Sequence, residues 1–120
     1  MENSYISKRI ASFGYAWNGI VAFVRSEPHA RIHVLATIVV VAAACWYRIT
    51  APEWIWTILS IALVWTTEML NTVVEKMMDH LSPQLHPQVK FIKDVAAGAV
   101  LVAAIAAAII GAVIFIPHIF

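Results

Sequence analysis

The chain has 120 residues, of which 62% are hydrophobic and 12% are charged, and its formal net charge is +1. Soluble domains average about 45–50% apolar and about 25% charged residues, so this composition excludes both an ordinary soluble domain and a disordered chain. The basic stripe of a nucleic-acid-binding protein is also missing. A single cysteine, Cys45, excludes a disulfide framework and a zinc site built from cysteines.

Residues 6–26 predict an amphipathic helix. A helix of this kind is typical of a segment that lies in the membrane interface, and the alternative is a helix that packs its apolar face on a bundle. We expect no cleavable signal peptide, because no small-residue cleavage site follows a short apolar core. The apolar stripe recurs at alternating spacings of four and three, at Ile6, Ile10, Phe13, Trp17, Ile20 and Val24.

Three apolar segments predict membrane-spanning helices. A spanning helix needs about 17–25 mostly apolar residues, which the third segment supplies and which the first reaches only with its polar flanks. The second reaches this length only if its helix continues through Glu68 and Glu75, and we expect this because no Gly or Pro interrupts it there. The predicted spans are 29–49, 54–80 and 93–117, and residues 81–92 form a loop.

The distribution of Lys and Arg predicts the orientation of these spans. Basic residues precede the first span and surround the 81–92 loop, whereas only Arg48 lies on the other side. The positive-inside rule therefore places the N-terminus and that loop in the cytoplasm and the C-terminus outside. We predict one all-α membrane domain over residues 1–120, with an N-terminal interfacial helix and three transmembrane helices. A closed active site in so small a bundle would need further copies of the chain.

The second span carries an acidic motif, Glu68-x-x-Asn71-Thr72-x-x-Glu75-x-x-x-Asp79. At about 100° per residue these side chains share one narrow helix face. A charge inside a span costs about 2.5–3.5 kcal/mol on the insertion scale, and such residues are functional by default. The alternative is that Glu75 and Asp79 lie in water at the helix end while Glu68 pairs with a lysine.

Lys90, Lys93 and Asp94 open the third span, on the same predicted side of the membrane as the acidic motif. Lys90 and Asp94 could form a simple i,i+4 ion pair, and Lys93 could be only an interface anchor. Carboxylates beside lysines at an interface also suit a nucleotide with Mg²⁺, since Mg²⁺ takes oxygen ligands and phosphoryl transfer needs a cation at the phosphates. No Walker A or glycine-rich kinase loop is present.

Glu27 is a further candidate carboxylate, just before the first span. It could equally be a helix-end residue without a role. His29 and His33 follow it at i,i+4 spacing, which suits a metal pair. We do not expect zinc, because no third imidazole or thiolate is close in sequence.

Several of these segments together resemble the prokaryotic diacylglycerol kinase family of small trimeric membrane kinases. The resemblance rests on the acidic motif, on Lys93-Asp94-x-x-Ala97-Gly98 and on the N-terminal Gly14-Tyr15 and Ser26-Glu27 segments, and it covers about residues 8–116. It implies a homotrimeric bundle in the bacterial plasma (inner) membrane. It also implies ATP- and Mg²⁺-dependent phosphorylation of a lipid hydroxyl at the cytoplasmic interface.

The resemblance also implies roles for individual residues by matched position. Glu68 resembles the catalytic base, and Glu27 and Glu75 resemble the carboxylates that hold Mg²⁺ on the ATP phosphates. The implied nucleotide contacts are Tyr15, Glu27, Glu75, His86, Lys93 and Asp94, and the implied lipid-site residues are Glu68, Asn71, Arg31 and Ala97.

Two branches of the family differ in substrate, diacylglycerol or undecaprenol. The Glu27-x-His29-x-Arg31-x-His33 segment and Glu53 at the start of the second span look more like the undecaprenol branch, although that branch usually has Asn in place of His29. Two other functions fit part of the sequence. A small proton-coupled transporter is disfavoured because the carboxylates crowd one end rather than the midplane, and an inactive membrane subunit because every motif carboxylate is present.

Overall fold

The chain folds into helices in the computed structural model, which describes residues 2–81 and 86–120. Within these ranges there is no β-strand, which confirms the predicted all-α class. The last three helices are long and apolar enough to cross a membrane. The four helices are α1 (Glu2–Ser26), α2 (Pro28–Tyr47), α3 (Ala51–Leu81) and α4 (Pro87–Ile119).

The predicted continuation of α3 through Glu68 and Glu75 is confirmed. α4 differs from the predicted span at both ends. It begins at Pro87 because His86 caps it and proline suits the first helical position. It also continues past Pro117 to Ile119, since a proline in the last turn removes only one of the final hydrogen bonds. Part of the predicted loop, residues 82–85, lies outside the described residues.

The end of α2 is a tight turn that depends on a left-handed residue. Arg48 has a φ of 52° and, among the described residues, is the one non-glycine with a positive φ. The Ile49 N–H donates to the Ala44 carbonyl at 3.2 Å, and the Arg48 N–H donates to the Cys45 carbonyl at 3.3 Å. These two bonds form a Schellman motif, in which glycine is the usual left-handed residue.

α3 begins at a capping box. The Thr50 N–H donates to Oε1 of Glu53 at 2.9 Å, and the Glu53 N–H returns a longer bond to the Thr50 hydroxyl at 3.4 Å. This reciprocal pair satisfies backbone donors that the first helical turn leaves without partners. The α2–α3 connection is therefore only three residues long and is held at both ends.

The chain divides into two compact units, Met1–Ile38 and Val39–Phe120. In the first unit, Glu27 is the single non-helical residue between α1 and α2, and its N–H donates to the Phe23 carbonyl at 3.0 Å. The apolar stripe predicted for α1 is largely exposed, and Phe13 is 79% exposed. An exposed stripe of this kind is what a helix at a membrane surface requires.

The second unit is an antiparallel pairing of α3 with α4. Thr57 and Ser60 on α3 and Ala103 on α4 are buried. Both hydroxyls donate to carbonyls of their own helix, at 2.7 Å for Thr57 and 2.8 Å for Ser60, so their burial leaves no hydroxyl proton unsatisfied. Small side chains, and hydroxyl side chains that donate to their own helix, let helices approach closely in lipid.

Most of the apolar surface of this pairing faces outward. Val102 and Val113 on α4 are each 69% exposed, and Leu101 is 61% exposed. A water-soluble monomer rarely shows contiguous apolar surface on this scale. The helices therefore have the surface of a membrane protein, in which lipid or further protein chains cover the apolar side chains.

Replacing Arg48 tests the strain at the end of α2. A left-handed backbone costs an L-residue roughly 1–2 kcal/mol relative to glycine. We expect R48G to be more stable than R48A by about 1 kcal/mol, measured by thermal unfolding in detergent. R48A is the matched control, because it removes the same charge and retains Cβ. Equal stability of the two variants would contradict a strained Arg48.

Candidate functional site

The acidic face of α3 is formed as the sequence predicts, and it runs from partly buried to exposed along the helix. Glu68 and Asn71 are half-buried, whereas Glu75 and Asp79 are exposed. The Asn71 amide donates from Nδ2 to Oε1 of Glu75 at 3.3 Å. This bond couples two neighbouring turns of the acidic face.

Asn71 also carries an unusual buried atom. Its side-chain oxygen Oδ1 is enclosed and, within the part of the chain that the structure describes, accepts no hydrogen bond. A buried acceptor without a partner costs about 1–3 kcal/mol. Asn71 Oδ1 thus lacks the hydrogen-bond partner that buried polar atoms usually have.

Asp79 and Lys93 join the end of α3 to the start of α4. Lys93 Nζ donates to Asp79 Oδ1 at 2.5 Å, across 14 positions of sequence. The Lys93 side chain is 36% exposed and that of Asp79 is 65% exposed. The contact brings the acidic face of α3 directly beside the basic opening of α4.

A second ion pair lies within α4 itself. Lys90 Nζ donates to Asp94 Oδ2 at 2.5 Å, with i,i+4 spacing and both side chains exposed. The i,i+4 ion pair that the sequence allows is therefore formed between Lys90 and Asp94. Lys93 differs, because its partner lies on another helix and its position depends on how α3 and α4 pack.

His86 and Ala97 lie on either side of these pairs along the chain. His86 is the N-cap of α4, and its Nδ1 accepts from the Gln88 N–H at 3.1 Å. This bond leaves Nε2 as the ring nitrogen that can face a ligand. Ala97 is exposed one turn after Lys93, where a methyl side chain leaves room beside the charged groups.

The remaining candidate residues belong to the first unit. The ring of Tyr15 on α1 is 73% exposed, and Glu27 is half-buried between α1 and α2. Arg31 donates from Nη2 to the Arg25 carbonyl at 2.6 Å, which orients its guanidinium along the end of α1. The other candidates lie in the second unit.

The donor chemistry of the site fits Mg²⁺. The acidic face offers carboxylate and amide oxygens, which are the ligands that Mg²⁺ prefers. Among the described residues no group of three His, Cys, Asp or Glu side chains forms a metal cluster. A cation there would complete its shell with phosphate oxygens and water, as Mg²⁺ commonly does.

Sequence reasoning placed Asp79 on the acidic face but gave it no partner. The sequence does contain one indication of a partner for Asp79, which is charge complementarity. Asp79 is an acid in the last turn before the loop, and lysines occupy the first turns after it. That signal did not distinguish Lys90 from Lys93, because the choice depends on the packing of α3 against α4.

The chain matches the family described as prokaryotic diacylglycerol kinase over residues 14–115. It belongs to the prokaryotic diacylglycerol kinase family. This match confirms the resemblance that the motifs indicated, and it covers the acidic motif, the Lys93-Asp94 pair and the second half of α1. A family of lipid kinases uses a phosphate donor, and neither a transporter nor an inactive subunit is favoured by this membership.

Some relatives in the family are named undecaprenol kinase and others diacylglycerol kinase. The chain is 34% identical to the undecaprenol kinase of Bacillus subtilis over 93% of this chain and 91% of that protein. It is 37% identical to a diacylglycerol kinase of Synechocystis over 90% of this chain and 62% of that protein. It is 31% identical to the diacylglycerol kinase of Escherichia coli K12 over 91% of this chain and 89% of that protein.

Replacing Asn71 with leucine tests the unsatisfied oxygen. We expect N71L to raise the free energy of unfolding by about 1–3 kcal/mol, because an apolar side chain of similar size removes the unpaired acceptor. Thermal unfolding in detergent would measure this. N18L, an exposed asparagine of α1, is the matched control and should change stability little. Destabilisation by N71L alone would show that Oδ1 has a partner in the assembled protein.

Proposed function

We propose that this protein transfers the terminal phosphoryl group of ATP to the hydroxyl of a membrane lipid, at the cytoplasmic face of a bacterial plasma membrane. The proposal rests on the Asp79–Lys93 contact. This contact holds Lys93, the proposed phosphate ligand, beside the carboxylates of α3. Phosphoryl transfer needs both kinds of group, one to hold the phosphates and one to accept the proton of the attacking hydroxyl.

The lengths of the helices support an interfacial position for this chemistry. A hydrocarbon layer is about 30 Å thick. With Glu53 at the outer boundary, Glu68 lies about 22 Å along α3, inside the layer near its inner edge. Glu75 and Asp79 lie about 33 and 39 Å along, in the headgroup region, and Lys93 lies about 38 Å from His118 on α4. The carboxylates therefore follow one another from the edge of the lipid to water.

Glu68 is the proposed catalytic base. Its depth would let the carboxylate meet a lipid hydroxyl at the boundary of the layer, and it would accept the hydroxyl proton as the oxygen attacks the terminal phosphorus. The new oxygen–phosphorus bond replaces the bond to the leaving ADP oxygen. Asn71, one turn further along α3, would orient the site through its bond to Glu75.

Lys93 is the proposed phosphate ligand, and Asp79 is its positioning residue. The ion pair orients the ammonium group while the partly exposed side chain stays accessible. Other proposed nucleotide contacts are Asp94 and His86 at the start of α4 and Tyr15 on α1.

Mg²⁺ would be held by Glu75 and Glu27, with the phosphates supplying further oxygens. When bound, the cation neutralises charge on the phosphates. Glu75 is exposed and already oriented by Asn71, which suits a ligand that must engage a soluble nucleotide. Arg31 and Ala97 are the remaining proposed contacts with the lipid.

A homotrimer is the proposed assembly. The α3–α4 pairing alone leaves Glu75, Asp79 and Asp94 exposed, so one unit of this kind does not exclude water from the reaction. The extensive outward-facing apolar surface of α4 supplies area for packing between copies. Residues 1–120 would then act as one membrane domain within each copy, with its N-terminus in the cytoplasm.

Undecaprenol is the proposed lipid in preference to diacylglycerol. We expect purified protein with MgATP to phosphorylate undecaprenol faster than diacylglycerol when both are presented in the same detergent micelles, measured as radiolabelled lipid phosphate. E68Q should lower turnover about 10²–10⁴-fold, the usual contribution of a general base. E53Q, which changes a carboxylate outside the proposed site, should stay within a few-fold of the wild type.

Each outcome of this experiment is informative. Faster phosphorylation of diacylglycerol would overturn the choice of lipid and leave the kinase assignment intact. Full activity of E68Q would refute the assigned base. No phosphorylation of either lipid by correctly assembled protein would contradict the proposed function.

The two lysines at the start of α4 offer a matched test of nucleotide binding. A charged hydrogen bond contributes about 1.5–3 kcal/mol, so K93Q should raise the KM for ATP about 10–100-fold. K90Q should change it only a few-fold, since Lys90 pairs within its own helix. Steady-state kinetics at saturating lipid would measure both values. Equal effects of the two substitutions would contradict a specific phosphate contact by Lys93.

A further inference from the structure

The turn that ends α2 keeps an arginine where glycine would be more favourable. Arg48 has a φ of 52°, a left-handed backbone that an L-residue adopts at a cost and that glycine adopts freely. Non-glycine residues held in this conformation are often found where they bind a ligand. The turn uses only the backbone N–H of residue 48, so a role for the arginine has to lie in its side chain.

The guanidinium of Arg48 has no acidic partner among the described residues. Arg48 is exposed, and the ion pairs of the described ranges join other residues. Glu53 is the nearest acid in sequence, but its Oε1 accepts from the Thr50 N–H at 2.9 Å and its Oε2 lies 3.2 Å from Nε2 of His118. An exposed cation without an acid beside it suits an anion from outside the chain.

Tryptophan residues flank Arg48 along the chain. Trp46, two residues earlier, is 82% exposed, and Trp56, in the second turn of α3, is 57% exposed. Trp and Tyr are enriched where a membrane meets water, and α2, which ends at Tyr47, is one of the three helices that can span a membrane. Arg48 is the first residue after this helix, so it lies at the level of the lipid phosphates.

We propose that Arg48 binds the phosphate group of a phospholipid in the leaflet that surrounds this end of α2, with Trp46 beside the lipid headgroup. The planar guanidinium would donate two parallel hydrogen bonds to phosphate oxygens, a geometry that suits arginine better than lysine. The hydrogen bonds of the Schellman motif fix the backbone from which the side chain extends, so less freedom is lost on binding. By the proposed orientation this is the outer leaflet, and the site is independent of the kinase chemistry.

A bound phospholipid would hold the α2–α3 connection at a fixed depth in the membrane. Two simpler roles are open to Arg48, which are a favourable charge at the C-terminal end of the α2 dipole and a contribution to the net charge. Neither of these roles depends on a phospholipid. A ligand that binds only the folded protein raises its stability, so the response of stability to added phospholipid separates the proposal from both.

Thermal unfolding with and without phospholipid tests the proposal. In a maltoside detergent, which contains no phosphorus, phosphatidylglycerol should raise the melting temperature of the wild type by about 3–6 °C more than a galactosyl diacylglycerol with the same acyl chains. R48Q and R48G should lose this extra rise. R48G also removes the left-handed strain, so it provides the test even where R48Q does not assemble.

Two controls separate a lipid headgroup from net charge and from free phosphate. R25Q removes an exposed arginine of α1 and should keep the wild-type response to phosphatidylglycerol. Inorganic phosphate at the same concentration should not raise the melting temperature, because it lacks the acyl chains that concentrate the lipid in the micelle. The proposal is overturned if R48Q and R48G respond like the wild type, or if R25Q loses the response as fully as they do. It is also overturned if galactosyl diacylglycerol or inorganic phosphate stabilises the wild type as much as phosphatidylglycerol.

Discussion

The antiparallel pairing of α3 with α4 is the constraint on which the rest of this structure depends. Glu53 with His118 fixes one end and Asp79 with Lys93 fixes the other. The two contacts are separated by about 26 residues on α3 and about 25 on α4, so the two helices keep one register between them. Between them, small and internally bonded side chains such as Ala103 let the backbones approach.

This register determines which charged residues meet at the Asp79–Lys93 end of the pairing. A slip of one helical turn would move α4 by about 5.4 Å relative to α3, which is more than the reach of a hydrogen bond. Lys93 would then lose its contact with Asp79. The small packed residues between these two contacts, among them Thr57, Ser60 and Ala103, are thus as necessary to the proposed phosphoryl transfer as the charged residues.

Sequence alone predicted the helices and the acidic face, because both follow from local periodicity. The contacts between helices were not predicted, since Asp79–Lys93 and Glu53–His118 depend on the register of two helices, and composition and periodicity contain no information about that register. The early start of α4 was missed for another reason. His86 is not among the usual N-cap residues, so nothing marked it as the cap that lets Pro87 begin the helix.

Stability and proposed function are divided between the two ends of the second unit. The end at Glu53 and His118 has a buried apolar cluster, and both carboxylate oxygens of Glu53 have hydrogen-bond partners. The end at Asp79 and Lys93 has exposed charges and the Asn71 oxygen, which has no partner among the described residues. Sequences that specify one structure satisfy their buried polar groups, and the exceptions occur at functional sites. The unpaired Asn71 oxygen therefore supports the Asp79–Lys93 end as the proposed site of chemistry on physical grounds that are independent of family membership.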